Sequence, residues 1–270
     1  PRTPKLGVAK TPHKEFPPSA YTDEAWQEKG LLGDSAASFL MSLLYGARMQ
    51  RPDIQYCIIA TSRYCNNWTK MADAMLVQIM AYVKQTAHYV LEDTVVCGDP
   101  WSLACYADAD LGGCPTSCRS TSGGCLYITS ERGTNVLVDW WSKRQGAVAH
   151  STAESETASL AKAMREHCLP MEDLVEAITG KDVMSAVFDD SQACIVIAKR
   201  GYSQCLRHIT RTHRLSIAWL GEIFASPSRP LLYVDTSEQR GDPMTKGLSP
   251  QKMEMALELL CLYDRPTFKK

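Results

Sequence analysis

No run of about 18 apolar residues occurs in the 270-residue chain, which argues against a membrane-spanning helix. The opening residues Pro1-Arg-Thr-Pro-Lys lack the apolar core of a secretory signal, so an intracellular address is expected, cytoplasmic, nuclear or both. They also lack an initiator Met, as expected of a piece of a larger product. Neither sign of charge is in excess: 29 Lys and Arg face 30 Asp and Glu, so any affinity for nucleic acid has to come from local residues. There is no Gly-x-Ser-x-Gly elbow, which leaves a serine nucleophile unsupported. The 11 cysteines contain no Cys-x-x-Cys; the nearest pair is Cys114 and Cys118. Without a second tight pair or a nearby histidine a zinc knuckle is excluded, and reduced structural thiols are expected. What is present is ordinary for a globular protein with a real core: 45% hydrophobic and 22% charged residues.

Residues 1–30 are polar and read as a poorly ordered lead-in or an extended strap. From Leu31 to Leu91 the pattern is helical, with Met71, Met75, Ile79 and Val83 at a spacing of four on one face. Arg51-Pro-Asp-Ile marks a break between helices. Residues 92–100 read as a linker. Beyond it, segments 101–107, 124–129 and 135–141 suggest three antiparallel strands joined by short turns. Ser151 followed by Glu154 is a capping-box start for a long helix with Leu160, Met164, His167, Met171, Leu174 and Ile178 as its apolar stripe. Pro170 should kink or split that helix. A strand at 184–188, helices at 192–199 and 212–224, a strand at 231–234 and a helix at 250–262 complete a βββαβαβα order. The fold class expected is α/β with a mixed sheet, preceded by a small helical subdomain.

Four acids fall at strand ends or helix starts: Asp108, Glu156, Asp189 and Asp242. Carboxylates at such junctions can hold hard divalent cations for phosphodiester chemistry. Each also has a plain reading. Asp108 and Asp110 resemble a turn pair before Gly112-Gly113, Asp189 or Asp190 a helix cap, and Asp242 before Pro243 an N-cap with proline at N1. Glu154 is accounted for by the capping box, whereas Glu156 lies in line with Leu160 and points towards the sheet. His208 and His213 sit among Arg207, Arg211 and Arg214, either as a solvated basic face or in contact with a nucleic-acid backbone.

The flanking residues carry a resemblance. Tyr106–Asp110 (Tyr-Ala-Asp-Ala-Asp), Arg119-Ser-Thr-Ser-Gly-Gly, Trp141-Ser-Lys-Arg-Gln, Ser151-Thr-Ala-Glu-Ser-Glu, Asp189–Ala193 and residues 241–246 resemble, in order, the RNase H motifs of copia-type LTR retrotransposon Pol polyproteins. Upstream, Ser42-Leu-Leu-Tyr, Arg51-Pro-Asp-Ile, Ser62-Arg-Tyr and Tyr82-Val-Lys-Gln-Thr are similar to the tail of that family's reverse transcriptase. The match spans roughly residues 36–262. It implies three parts: a lead-in (1–30), a helical reverse-transcriptase tail (31–96) and an RNase H-like domain (97–270). It further implies hydrolysis of the RNA strand of RNA–DNA hybrids by two Mg²⁺ ions, with Mn²⁺ as a substitute, held by Asp108, Glu156, Asp189 and Asp242. Lys143, Arg144, Arg207, His208 and Arg211 are the implied backbone contacts. The upstream part of the same polyprotein is an implied partner, and a membrane is not. The polymerase aspartates of the family are absent, so polymerisation is not expected. Thr157 and Asp190 depart from the family pattern, which keeps open a catalytically dead fragment that folds and binds nucleic acid, or another enzyme of the same superfold.

Overall fold

The computed structural model describes residues 6–265. The chain divides into two compact units: residues up to Glu92 together with those from Lys246 onward, and Asp93–Thr245.

In the first unit, residues 1–5 lie outside the described residues, and residues 6–17 of the lead-in form an extended strap. Its Thr11 hydroxyl donates to Leu248 O (2.9 Å), its Thr11 carbonyl accepts from Gln78 Nε2 (2.8 Å), and Ala9 is buried. A short helix α1 (Glu24–Gln27) precedes α2 (Gly33–Met49), α3 (Gln55–Ser62) and α4 (Lys70–Gln85). Pro52 breaks α2 from α3 in a 3₁₀ turn, where Arg51 clamps Asp53 (2.7 Å) and donates to Thr86 O (3.0 Å). Thr69 caps α4 through Ala72 N; on the predicted face Met71 and Ile79 are buried, Ile79 in one cluster with Leu40 and Ile58 of α2 and α3. Strand β1 (Tyr89–Leu91) ends this segment.

The second unit holds the expected meander as β2 (Ser102–Ala109), β3 (Thr121–Thr129) and β4 (Asn135–Arg144). Helix α5 (Thr152–Ala163) begins where predicted, with Ser151 Oγ accepting from Glu154 N. Pro170 does not split the long helix. A π-turn at Met164–Cys168 passes directly into α6 (Leu169–Thr179), so the irregular, wider turn falls just before Pro170, which has no N–H to give to a regular ladder. The wider turn rotates the face that follows. Cys168, Glu172 and Val175 are buried, while Leu174 and Ile178, expected in the apolar stripe, are exposed.

Next come β5 (Ser185–Asp189), α7 (Gln192–Arg200), a four-residue helix α8 (Ile209–Thr212), α9 (Ile217–Phe224) and β6 (Leu231–Tyr233). The single helix expected over 212–224 is broken at Arg214, whose φ of 55° is left-handed. The sheet runs β4-β3-β2-β5-β6, antiparallel among the first three strands and parallel from β2 to β6. This is the mixed sheet expected of the fold class. One face packs Leu103, Cys105, Ala107 and Val187 against Leu160, Met164, Cys194 and Leu220 of the helices. Among the described residues no helix is long and apolar enough to cross a membrane, and no disulfide joins the cysteines.

The last helix, α10 (Pro250–Leu259), and strand β7 (Leu262–Asp264) belong to the first unit, although the sequence assigned them to the 97–270 domain. Met253 and Ala256 are buried in the cluster of Leu40, Ile58 and Leu76, and β7 pairs antiparallel with β1 through Val90 and Tyr263. A variant lacking residues 1–95 would therefore leave α10 without partners. It should aggregate or melt at lower temperature than the whole chain in calorimetry.

Candidate metal centre

Alternation along β2 sends Leu103, Cys105 and Ala107 to the helices, so Asp108 and Tyr106 face the other side of the sheet. That side is covered by residues 239–245. Gln239, 1% exposed, donates from Nε2 to Ala107 O (3.0 Å) and accepts from Gly241 N (3.1 Å). The Arg240 guanidinium lies over the rings of Tyr106 (5.0 Å) and Tyr127 (4.4 Å). The Thr245 hydroxyl donates to Asp108 Oδ2. The plain reading of Asp242 as a helix N-cap does not hold: Gly241 is the cap, and Asp242 is the first residue of the 3₁₀ turn Asp242–Met244.

A Cβ on Gly241 would lie 2.8 Å from Asp108 Cβ, so glycine is what permits the segment to press against β2. Gly241→Ala should cost about 1–3 kcal/mol of stability, the usual price of overpacking. Denaturant unfolding checks this, and metal titration should show the site weakened with it.

This packing brings three carboxylates together. Oxygens of Asp108, Asp190 and Asp242 lie within 4.8 Å of one another, and Asp190 accepts from the Thr236 hydroxyl (2.9 Å). Two of the predicted acids, Asp108 and Asp242, are in this group; Asp189 and Glu156 are not. Asp189 is the last residue of β5 and lies two positions after Val187, on the same face, so its side chain turns to the helix side, fully buried. There it accepts from Ser191 N (2.8 Å), and burial pushes its pKa up to about 7. Glu156 is 4% exposed and belongs to the same side: burial, then Asp189, then Glu156 raise the Cys194 thiol well above its usual value. Asp190, the residue after the strand, is the acid that reaches the cluster. The signal available in the sequence was the adjacency of two aspartates, which does not say which one leaves the strand's alternation.

Glu154 does more than cap. It is fully buried, accepts from His150 N (2.9 Å), and meets His208 Nε2 at 3.0 Å and His213 Nε2 at 3.2 Å. Burial acts to raise its carboxyl, but the hydrogen bonds from His150 and His208 and the two imidazole charges outweigh it and hold it below the usual range. His208 and His213 are thus tied to the start of α5, and the His213 side chain is only 4% exposed. Glu154→Ala should cost about 1–3 kcal/mol, the penalty for orphaning buried polar partners, measurable by chemical denaturation. Of the other predicted contacts, Lys143, Arg144 and Arg211 are exposed, and Arg207 donates to the Tyr202 hydroxyl (2.9 Å).

The three-aspartate group suits a hard cation. It offers only carboxylate oxygens, the donors Mg²⁺ takes, and three like charges this close are unfavourable together until a cation compensates them.

No protein-family model matches the chain. It is 28% identical over 267 residues, 97% of its length, to the retrovirus-related Pol polyprotein from transposon TNT 1-94 of Nicotiana tabacum, of which it spans 18%. It is 31% identical over 125 residues, 46% of its length, to the secreted RxLR effector protein 161 of Plasmopara viticola, 83% of which is covered. A crystal structure of LC11-RNase H1 in complex with an RNA/DNA hybrid overlaps 53% of this chain and 94% of its own, with 15% identity and a TM-score of 0.34.

Proposed function

We propose, for a chain that is a distant homologue of the copia-type retrotransposon Pol polyproteins, that the second unit is a metal-dependent ribonuclease H cutting the RNA strand of RNA–DNA hybrids. The observation that carries this reading is the convergence of Asp108, Asp190 and Asp242 at one end of the sheet. Asp108, Asp190 and Asp242 would hold the Mg²⁺ ions, with Glu156 as the further ligand the sequence suggests. Bound there, the metals supply an activated water and stabilise the leaving oxygen. The chain's own part is placement: Gln239, Arg240 and Thr245 hold the turn of Asp242 against β2, and Thr236 orients Asp190. The helical first unit, as a reverse-transcriptase tail, does no chemistry.

One observation favours a second reading, a folded but inert relative: Glu156 lies outside the three-acid group. Cleavage of an end-labelled RNA–DNA hybrid by the purified chain separates the two. Mg²⁺-dependent cutting of the RNA strand, lost with EDTA and in Asp108→Asn, supports the enzyme. Its absence at micromolar protein supports the inert relative.

A further inference from the structure

Helix α2 of the first unit has two apolar faces, and only one of them is covered. Ala36, Leu40 and Ala47 are buried, and Leu43 and Leu44 pack against the same cluster. On the opposite side Met41 is 57% exposed, Tyr45 72% and Met49 57%. A surface helix ordinarily turns charged and polar residues outward. Helix α10 of the same unit does so, with Gln251, Lys252, Glu254 and Glu258 exposed around Met255. The outward face of α2 instead runs Asp34, Ser38, Met41, Tyr45 and Arg48, in steps of 4, 3, 4 and 3. That is the spacing of a seam along which one helix packs lengthwise on another. An exposed apolar stripe of this kind marks an interaction surface.

The charges of the seam say what the partner is. They sit only at its ends, Asp34 in the first turn and Arg48 in the last. The helix dipole accounts for that placement, but not for the apolar side chains exposed between them. Both charged groups are exposed, and neither forms an ion pair among the described residues. Each lies seven residues from Met41, so the seam is complementary to itself when reversed. Two copies of α2 laid antiparallel around Met41 place each Asp34 beside the other copy's Arg48. Tyr45 then falls beside Ala37 and Ser38 of the other copy, small side chains that leave room for its ring. Parallel pairing would set Asp34 against Asp34 and Arg48 against Arg48. We propose that α2 is a self-association surface, pairing antiparallel with α2 of a second copy of this chain. The proposal does not depend on the nuclease reading of the second unit. A helix of 17 residues is about 25 Å long. One such pair buries less than about 1,200 Å², which belongs to weak, reversible association with a Kd of roughly 10–100 µM.

Sedimentation velocity of the whole chain between about 1 and 200 µM should follow a monomer passing into a dimer, since that range brackets the expected constant. Met41→Glu brings two carboxylates together at the two-fold axis and should weaken the dimer at least about tenfold. Tyr45→Ser, which removes the largest exposed side chain of the seam, should weaken it too. Asp34→Arg and Arg48→Asp should each weaken it by roughly fivefold, and the double variant should return to within about twofold of the wild type. That rescue is particular to antiparallel order, because a parallel pair has like charges at both ends before and after the swap. Met255→Glu removes an equally exposed methionine from α10 and should leave the dimer unchanged. All these side chains are exposed, so melts at dilute protein should match the wild type. A chain still monomeric at about 200 µM overturns the proposal. So do charge swaps without rescue, or a Met255→Glu variant as impaired as Met41→Glu. Weaker binding of a labelled RNA–DNA hybrid by Tyr45→Ser, with its oligomeric state unchanged, would overturn it as well and make the stripe a nucleic-acid surface.

Discussion

Asp108→Asn and Asp242→Asn each reduce Mg²⁺-dependent hybrid cleavage by more than about 100-fold, beyond the 10–100-fold that loss of a partner outside the ligand set brings. Both substitutions keep the shape of the site. An asparagine oxygen at 108 still accepts from the Thr245 hydroxyl, so the segment carrying Asp242 stays in place. What is lost is one of three carboxylates whose oxygens lie within 4.8 Å of one another. The same change has an opposite effect on the metal-free protein. Three like charges at that separation repel, and neutralising one relieves them, so each variant should melt higher than the wild type in EDTA. Added Mg²⁺ should reverse the order: the wild type gains up to about 2.7 kcal/mol at a hundredfold excess over Kd, and the variants gain little. Scanning calorimetry with and without Mg²⁺ reads both effects. A variant that melts lower in EDTA, or that still cleaves at the wild-type rate, would show that the three aspartates are not a metal centre.

The parts of this site that were legible in the sequence are those set by local chemistry. Ser151 and Glu154 mark the start of α5 because capping is a contact within one turn. The three strands show in the alternation that buries Leu103, Cys105 and Ala107. What escaped is set by packing at long range. Glu154 looked like a capping residue only, because its imidazole partners lie 54 and 59 positions further on, at His208 and His213. The stripe through Leu174 and Ile178 failed because the π-turn at Met164–Cys168 rotates the helix, and periodicity counted at 3.6 residues per turn does not see it. Assigning α10 to the second unit failed for a related reason. Its apolar face at Met253 and Ala256 says that it is buried but not against what.

The choice between Asp189 and Asp190 is the remaining part of the site that sequence left open, and a pH experiment separates them. Asp189 is fully buried, and that burial, helped by the charge of Asp190, raises its pKa to about 7 from an ordinary 3.8. Between those two values the folded chain keeps a proton that the unfolded chain has released. Stability in EDTA therefore falls as pH rises from 4 to 7, by at most about 4 kcal/mol from this group. Asp189→Asn removes that slope. It should leave stability at pH 4 unchanged, raise it at pH 7, and retain cleavage, since an Asn oxygen still accepts from Ser191 N. Asp190→Asn behaves in the other way: most of the slope persists, because desolvation of Asp189 is its larger cause, while cleavage is lost with the metal ligand. Urea unfolding of both variants at several pH values, beside hybrid cleavage at pH 7 to 8, gives the answer. A dead Asp189 variant beside an active Asp190 variant would place the metals on the helix side, with Glu156 and Asp189, and take Asp190 out of the centre.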